Sequence, residues 1–172
     1  MSNLWTIYGP GRSHVFRFVS WGIATDVRIG EVLRQWQGTP YVEGAMVKRA
    51  GADCVRALAG VLADVAGFIP VPLCRLPADA AMSAPESARA AMRALIREFC
   101  ATQIEDTTLK PLDFLVTRPP GNDTGPGHAM MVGPHKSLWH MDRQAGFCRV
   151  GNSLEGNTLV ACYRVPFDLW EV

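Results

Sequence analysis

No stretch of this chain is apolar for long enough to cross a bilayer, since no window approaches 18 uncharged apolar residues. The first residues, MSNLWTIYGPGRSH, lack the basic segment followed by an apolar one that marks an export signal. The expectation is a protein made in the cytosol, with no membrane span. An excess of either charge is missing too: 17 Lys and Arg stand against 16 Asp and Glu, scattered singly, so no basic stripe offers itself to nucleic acid or to an anionic membrane. The five cysteines (Cys54, Cys74, Cys100, Cys148, Cys162) contain no C-x-x-C pair. That removes the common zinc and dithiol motifs and leaves reduced thiols as the expectation. Internal repeats and low-complexity segments are likewise absent.

What is present fits one compact domain of 172 residues. Residues 4 to 21 hold two apolar-rich runs around a Gly-Pro-Gly break, which suggests a small hairpin or an extended arm over residues 1–24. A helical pattern through Val27, Val32, Leu33 and Trp36 follows, with Thr25 or Asp26 as N-cap and Gly38 as stop. Val55, Leu58, Ala59, Leu62, Val65 and Ala66 recur at helical spacing before Gly67. A third helix opens on Ser83 and Glu86, spaced as a capping box, and carries Met92, Leu95, Ile96 and Phe99 on one face. Beyond about residue 103 the texture turns to short β-type runs, DFLVTR, HAMMVG, SLWHM, FCRVGN and VACYRV, divided by turn residues. Helices followed by an antiparallel sheet make an α+β fold.

Cys54 stands at the mouth of the second helix. With Asp53 as N-cap, the free N–H groups and positive dipole end of the first turn favour a thiolate and lower its pKa. The N–H groups of Cys54 and Val55 can also receive the oxyanion formed when a thiolate attacks an amide. The alternative is that Cys54 is a small buried hydrophobe.

A nucleophilic thiol needs a base, and His128, His135 and His140 lie downstream. Their use depends on the turn that joins the strands. A three-residue loop Gly133-Pro134-His135 sets His128 directly opposite His140, and a five-residue loop leaves them diagonal on one face. Even-numbered loops separate them unless a bulge intervenes. An odd loop or a bulge is therefore the expectation if His128 is the base and His140 fixes its tautomer. Otherwise His128 is a strand-end histidine satisfied by loop carbonyls and His140 a half-exposed strand residue, while His135, after a proline, faces solvent. The spacing H-x6-H-x4-H with Cys148 nearby matches no fixed metal geometry, so no metal and no cofactor are expected.

These pieces resemble the NlpC-type cysteine peptidases, cell-wall endopeptidases of the papain-like superfamily, and in particular their versions in phage tails and phage-like particles. WQGTPYVEGAMVKRAGADCVRALAGVL (36 to 62) is similar to the family's Gly-Thr-Pro-Tyr and Gly-x-Asp-Cys block. LKPLDFLV and GPGHAMMVG resemble its two following strands, and His140 stands twelve residues after His128, where the family places a third polar residue. The resemblance spans roughly residues 30 to 166. It implies a papain-like NlpC-type fold over residues 25–172, the nucleophile helix packed on the C-terminal antiparallel sheet. It also implies Cys54 as nucleophile, His128 as base, His140 as its orienting partner, and Tyr41 as a hydroxyl beside the thiol for oxyanion or substrate. Asp53 is read as N-cap and as a wall of the substrate pocket, and Asp113 as structural.

Three departures stand out. Val55 and Arg56 replace the family's Ser-Gly after the cysteine, removing a hydroxyl and adding a cation for substrate; Leu112 replaces a glycine, which implies a different turn; and the loop PPGNDTGPG is extra. The implied substrate is a peptidoglycan stem peptide, cut between D-glutamate and a diamino acid. The implied partners are phage tail or particle proteins, and the implied location is a virion, a phage-like particle or a lysate. Two other readings remain open on the residues: a structural tail-tip or assembly component with a vestigial site, and a toxin-like amidase or acyltransferase acting elsewhere.

Overall fold

The computed structural model describes residues 3–67, 85–105, 107–121 and 127–166. Strands β1 (Leu4–Gly9) and β2 (Arg12–Phe18) form an antiparallel hairpin closed by Pro10 and Gly11. Proline sets the first turn residue and Gly11, at φ 74°, takes the left-handed second position. Of the two readings of this segment, the hairpin is the one observed.

Helix α1 (Ile23–Trp36) begins earlier than its sequence suggests, on Gly22, with no side-chain cap. Asp26 works from inside the first turn instead. Its carboxylate accepts the Ser20 hydroxyl at 2.7 Å and the Trp21 N–H at 3.2 Å, satisfying the chain that enters the helix. At the other end, Gln37 caps the helix and Gly38 turns left-handed, as expected.

Two short strands, β3 (Met46–Val47) and β4 (Gly51–Ala52), lead into α2 (Cys54–Ala66), which runs from Asp53 to a left-handed Gly67. The spacing of its apolar residues suggests one buried face. In the fold every residue from Cys54 to Ala63 is buried, because α2 lies between α1, α3 and the sheet. Gly60 has no room for a side chain: a Cβ there would run into the Trp36 indole.

Helix α3 (Pro85–Glu98) buries Ala91, Met92, Ala94 and Leu95, with Phe99 just beyond its end. The Ser83–Glu86 capping box lies outside the described residues.

The five strands legible in the sequence are all present: β7 (Phe114–Arg118), β8 (His128–Gly133), β9 (Ser137–Asp142), β10 (Gly146–Val150) and β11 (Thr158–Arg164). Together with β5 (Thr102–Gln103) they build a six-stranded antiparallel sheet in the order β10-β9-β8-β7-β11-β5. Strand β6 (Thr108–Leu109) runs parallel to β2 and completes a separate three-stranded sheet with the hairpin.

Strand alternation divides the core in two. Phe114, Val116, Ala129, Met131, Trp139 and Met141 face the helices, while Leu115, Met130, Val132 and Leu138 face Trp5, Ile7, Phe16 and Phe18 of the hairpin. The hairpin thus covers the face of the sheet opposite the helices. It also holds the loop after β10, with Tyr8 N–H bonded to the Asn152 carbonyl and Leu154 N–H to the Tyr8 carbonyl.

Leu112 takes φ 74°, so the left-handed turn a glycine would make is made here by leucine. The side chain is 1% exposed and sits in the helix-side core, and that burial offsets a conformational cost of about 1 kcal/mol. Beside it, Asp113 accepts the Lys110 N–H and a two-pronged contact from Arg164, tying β7 to β11. This is the structural role read for it.

Candidate active site

The loop before α2 brings a tyrosine to the helix start. Ala52 N–H bonds to the Pro40 carbonyl and Val42 N–H to the Ala52 carbonyl, which zips Pro40–Val42 along β4. Gly51 is required for this approach, since a Cβ there would sit 2.5 Å from a Val42 methyl. Thr39, fully buried, accepts the Arg49 N–H and fixes the loop's far side. The Gly-Thr-Pro-Tyr and Gly-x-Asp-Cys motifs are therefore two halves of one clasp.

Asp53 is the N-cap. One carboxylate oxygen accepts the Arg56 N–H at 2.8 Å; the other accepts the Gly44 N–H at 3.1 Å and pairs with the Arg56 guanidinium. Both side chains are essentially inaccessible, at 0% and 2%. Neither residue lines the open cleft, which corrects the reading of Asp53 and Arg56 as substrate contacts: the added cation neutralises the cap inside the protein. Val55 is also fully buried, so only its backbone is available to the site.

Cys54 opens α2 with its thiol facing the cleft, 4% exposed. The N–H groups of Ala129, Val55 and Cys54 converge on the sulfur. Burial, joined by the Asp53 carboxylate, nevertheless outweighs them and pushes the thiol up to about 12. The expected lowering by the helix terminus is present in these N–H contacts but is outweighed, first by burial and then by the Asp53 carboxylate. Alkylation of Cys54 by iodoacetamide, followed by peptide mass mapping to separate it from exposed Cys100, should therefore be slow at neutral pH. The rate should climb without a plateau to about pH 10, and a plateau below about pH 8 would show a preformed thiolate.

His128 starts β8, and the odd loop is observed. Pro134 to Lys136 join Gly133 to its partner Ser137. The loop lies one residue later than the Gly133–His135 placement, so His140 faces Met130, and His128 is its diagonal neighbour on the same face. The diagonal suffices: His128 Nε2 lies 3.0 Å from His140 Nδ1, the rings edge-on with centroids 5.2 Å apart. Burial and then the neighbouring His140 push His128 down to about 3, against the pull of Asp142. His140, 6% exposed, is also lowered by burial, with Asp142 and Glu155 opposing. His135 lies in the exposed turn.

Cys54, His128, His140 and Tyr41 share a cleft of about 430 Å³. Tyr41 is half-buried, and burial followed by the proximity of Cys54 raises its phenol above the ordinary value, so the hydroxyl remains a donor at neutral pH. Arg143, Glu155 and Asn157, from the turn after β9 and the loop after β10, also line the cleft. Sequence reasoning did not single out these three, because no motif or spacing marks them. Pro119 and Gly127, the described ends of the extra loop, also border the cleft. Cys148 is the direct cross-strand partner of His140, yet among the described residues no group of three His, Cys, Asp or Glu side chains is placed to hold a metal ion. No described helix is long and apolar enough to cross a membrane.

No family model matches the sequence, and no curated protein is significantly similar to it. Solved structures are similar to it in three dimensions. An NLP/P60 family protein from Staphylococcus aureus subsp. aureus Mu50, described as similar to lipoprotein, superposes with a TM-score of 0.54 at 16% identity over 86% of this chain. An NlpC/P60 family protein from Bacillus cereus ATCC 10987 does so with a TM-score of 0.54 at 11% identity over 91%. The chain has the NlpC/P60 fold. It spans 43% and 45% of the length of those two proteins. The NlpC/p60 domain of the peptidoglycan hydrolase SagA is covered over 97% of its length, at 18% identity and a TM-score of 0.49. The α+β arrangement of the NlpC/P60 fold, with α2 packed on β8 and β9, agrees with the fold class read from the sequence.

Proposed function

We propose that this chain is a thiol amide hydrolase of the bacterial cell wall, with Cys54 as nucleophile, His128 as general base and His140 as the partner that orients it. The observation that carries the reading is the 3.0 Å contact between His128 Nε2 and His140 Nδ1 in the cleft that the Cys54 thiol faces. If that contact is a hydrogen bond donated by Nε2–H, the His128 Nδ1 lone pair is left to take the thiol proton. Both groups rest neutral, so proton transfer accompanies attack rather than preceding it.

The sulfur adds to the amide carbonyl, and the oxyanion is met by first-turn N–H groups and the Tyr41 hydroxyl. His128 returns its proton to the leaving amine as the C–N bond breaks. Water, deprotonated by His128, then cleaves the thioester. The substrate in this reading is a peptidoglycan stem peptide cut between D-glutamate and a diamino acid, supported by the fold and by the Gly-Thr-Pro-Tyr to Asp-Cys block. Delivery by a phage tail or phage-like particle belongs to the same proposal and rests on the sequence resemblance.

A second reading, a structural particle component with a vestigial site, has in its favour the neutral, deeply buried thiol and the loss of a pocket hydroxyl at Val55. Digestion of purified peptidoglycan separates the two. New amino groups on the diamino acid, detected by mass spectrometry and absent with Cys54→Ala, are the expected result; intact wall after treatment with folded protein would favour the structural role.

A further inference from the structure

The wall of the cleft nearest Tyr41 carries a cation that the chemistry above does not use. The turn after β9 is held tightly: Asp142 Oδ1 accepts the N–H groups of Gln144 and Ala145, each at 2.7 Å. Gly146, at φ 72°, leaves no room for a side chain against the Thr39 carbonyl. Phe147 N–H bonds to that same carbonyl at 2.8 Å, and Gly38 N–H to the Phe147 carbonyl at 2.8 Å. The turn is thereby locked to the loop that presents Tyr41.

Arg143, within this turn, lays its guanidinium 5.5 Å from the Tyr41 ring centre. Among the described residues no carboxylate lies within ion-pair distance of it. The carboxylates around the cleft bear on its other groups, Asp142 and Glu155 on His140 and Glu43 on Tyr41, and none of them is ion-paired with Arg143. The cleft thus holds, beside the nucleophile's tyrosine, a cation on a fixed turn with no ion-pair partner among the described residues.

We infer that Arg143 is a specificity residue that recognises a free carboxylate on the acyl side of the scissile amide. The inference rests on the peptidase reading and names what that site selects. In a γ-linked D-glutamyl bond the side-chain carboxyl forms the amide, and the α-carboxylate stays free and charged close to the cut. A guanidinium set over an aromatic ring can bind such a group through paired N–H donors, whereas the uncharged α-amide gives up the charge-assisted part of the contact.

Binding to Cys54→Ala protein tests this without turnover. Two stem peptides, identical except for D-glutamate or its α-amide, are titrated by calorimetry at low and high salt. The free acid should bind roughly tenfold tighter at low salt, less so at high salt, and Arg143→Gln should erase the difference while Arg143→Lys keeps part of it. Equal affinity for the two peptides, or a preference that survives Arg143→Gln, overturns the inference, as does binding of neither. The wall digestion described above then distinguishes failure of this selectivity alone from failure of the peptidase reading.

Discussion

Replacing His128 by alanine is expected to lower kcat/KM by about 10³- to 10⁴-fold, with KM little changed. The thiol is neutral at rest, so without a base no nucleophile forms at neutral pH. The effect of His140 differs in kind. It touches His128 rather than the thiol, and His140→Ala should cost on the order of 10²-fold through loss of ring orientation. His140→Asn, which restores an acceptor for the His128 Nε2–H, should recover most of that loss.

The pH dependence of stability supplies a readout that activity alone does not. Folded His128 is held near 3 against an ordinary value of 6.5, so below 6.5 the unfolded chain binds a proton that the folded one refuses. Stability is therefore full above about 6.5 and falls as pH drops toward 3. Removing His128 should flatten that acid limb. A His128→Ala protein retaining a tenth of the activity would rule out the assigned base.

How far the sequence carried these conclusions depended on whether the information was local. The nucleophile helix was legible from Asp53 to Gly67 because cap, periodicity and stop are all written in adjacent residues. The five longer strands were legible for the same reason, and the need for an odd connection between the two histidines followed from strand alternation alone. The exact diagonal did not, since it turns on whether Gly133 closes the hairpin with Ser137 or belongs to its loop.

Where a side chain's role was set by what packs on it from elsewhere, sequence reasoning missed. Asp26 looked like a cap but reaches back from inside α1, because a left-handed-region Gly22 can begin the helix. Leu112 looked incompatible with a glycine turn, yet tertiary burial holds it there. Arg56 looked like a cation for substrate because only the fold reveals that Asp53 draws it inward. The short strands β3 to β6 carry too few residues to show a period, and the cleft wall formed by Arg143 and Glu155 is assembled from two connections that share no motif.

The buried pair beneath the nucleophile carries the largest expected effect on stability. Asp53→Ala removes the cap of α2 and leaves the Arg56 guanidinium in a site with almost no solvent access, and such a change should destabilise the protein by roughly 3–5 kcal/mol. Arg56→Met should cost less, because the carboxylate it leaves behind still accepts the N–H groups of Arg56's own position and of Gly44. If the ion pair itself is the source, the double variant Asp53→Asn with Arg56→Met should be far less destabilised than the sum of Asp53→Asn and Arg56→Met made singly, since asparagine keeps the cap and methionine fills the volume without a charge. Urea unfolding followed by tryptophan fluorescence measures all four corners of the cycle. Additive losses would mean that cap and cation act independently, whereas strong coupling would show that Arg56 is there to let a carboxylate start a helix in a dry core, with the nucleophile as its first residue.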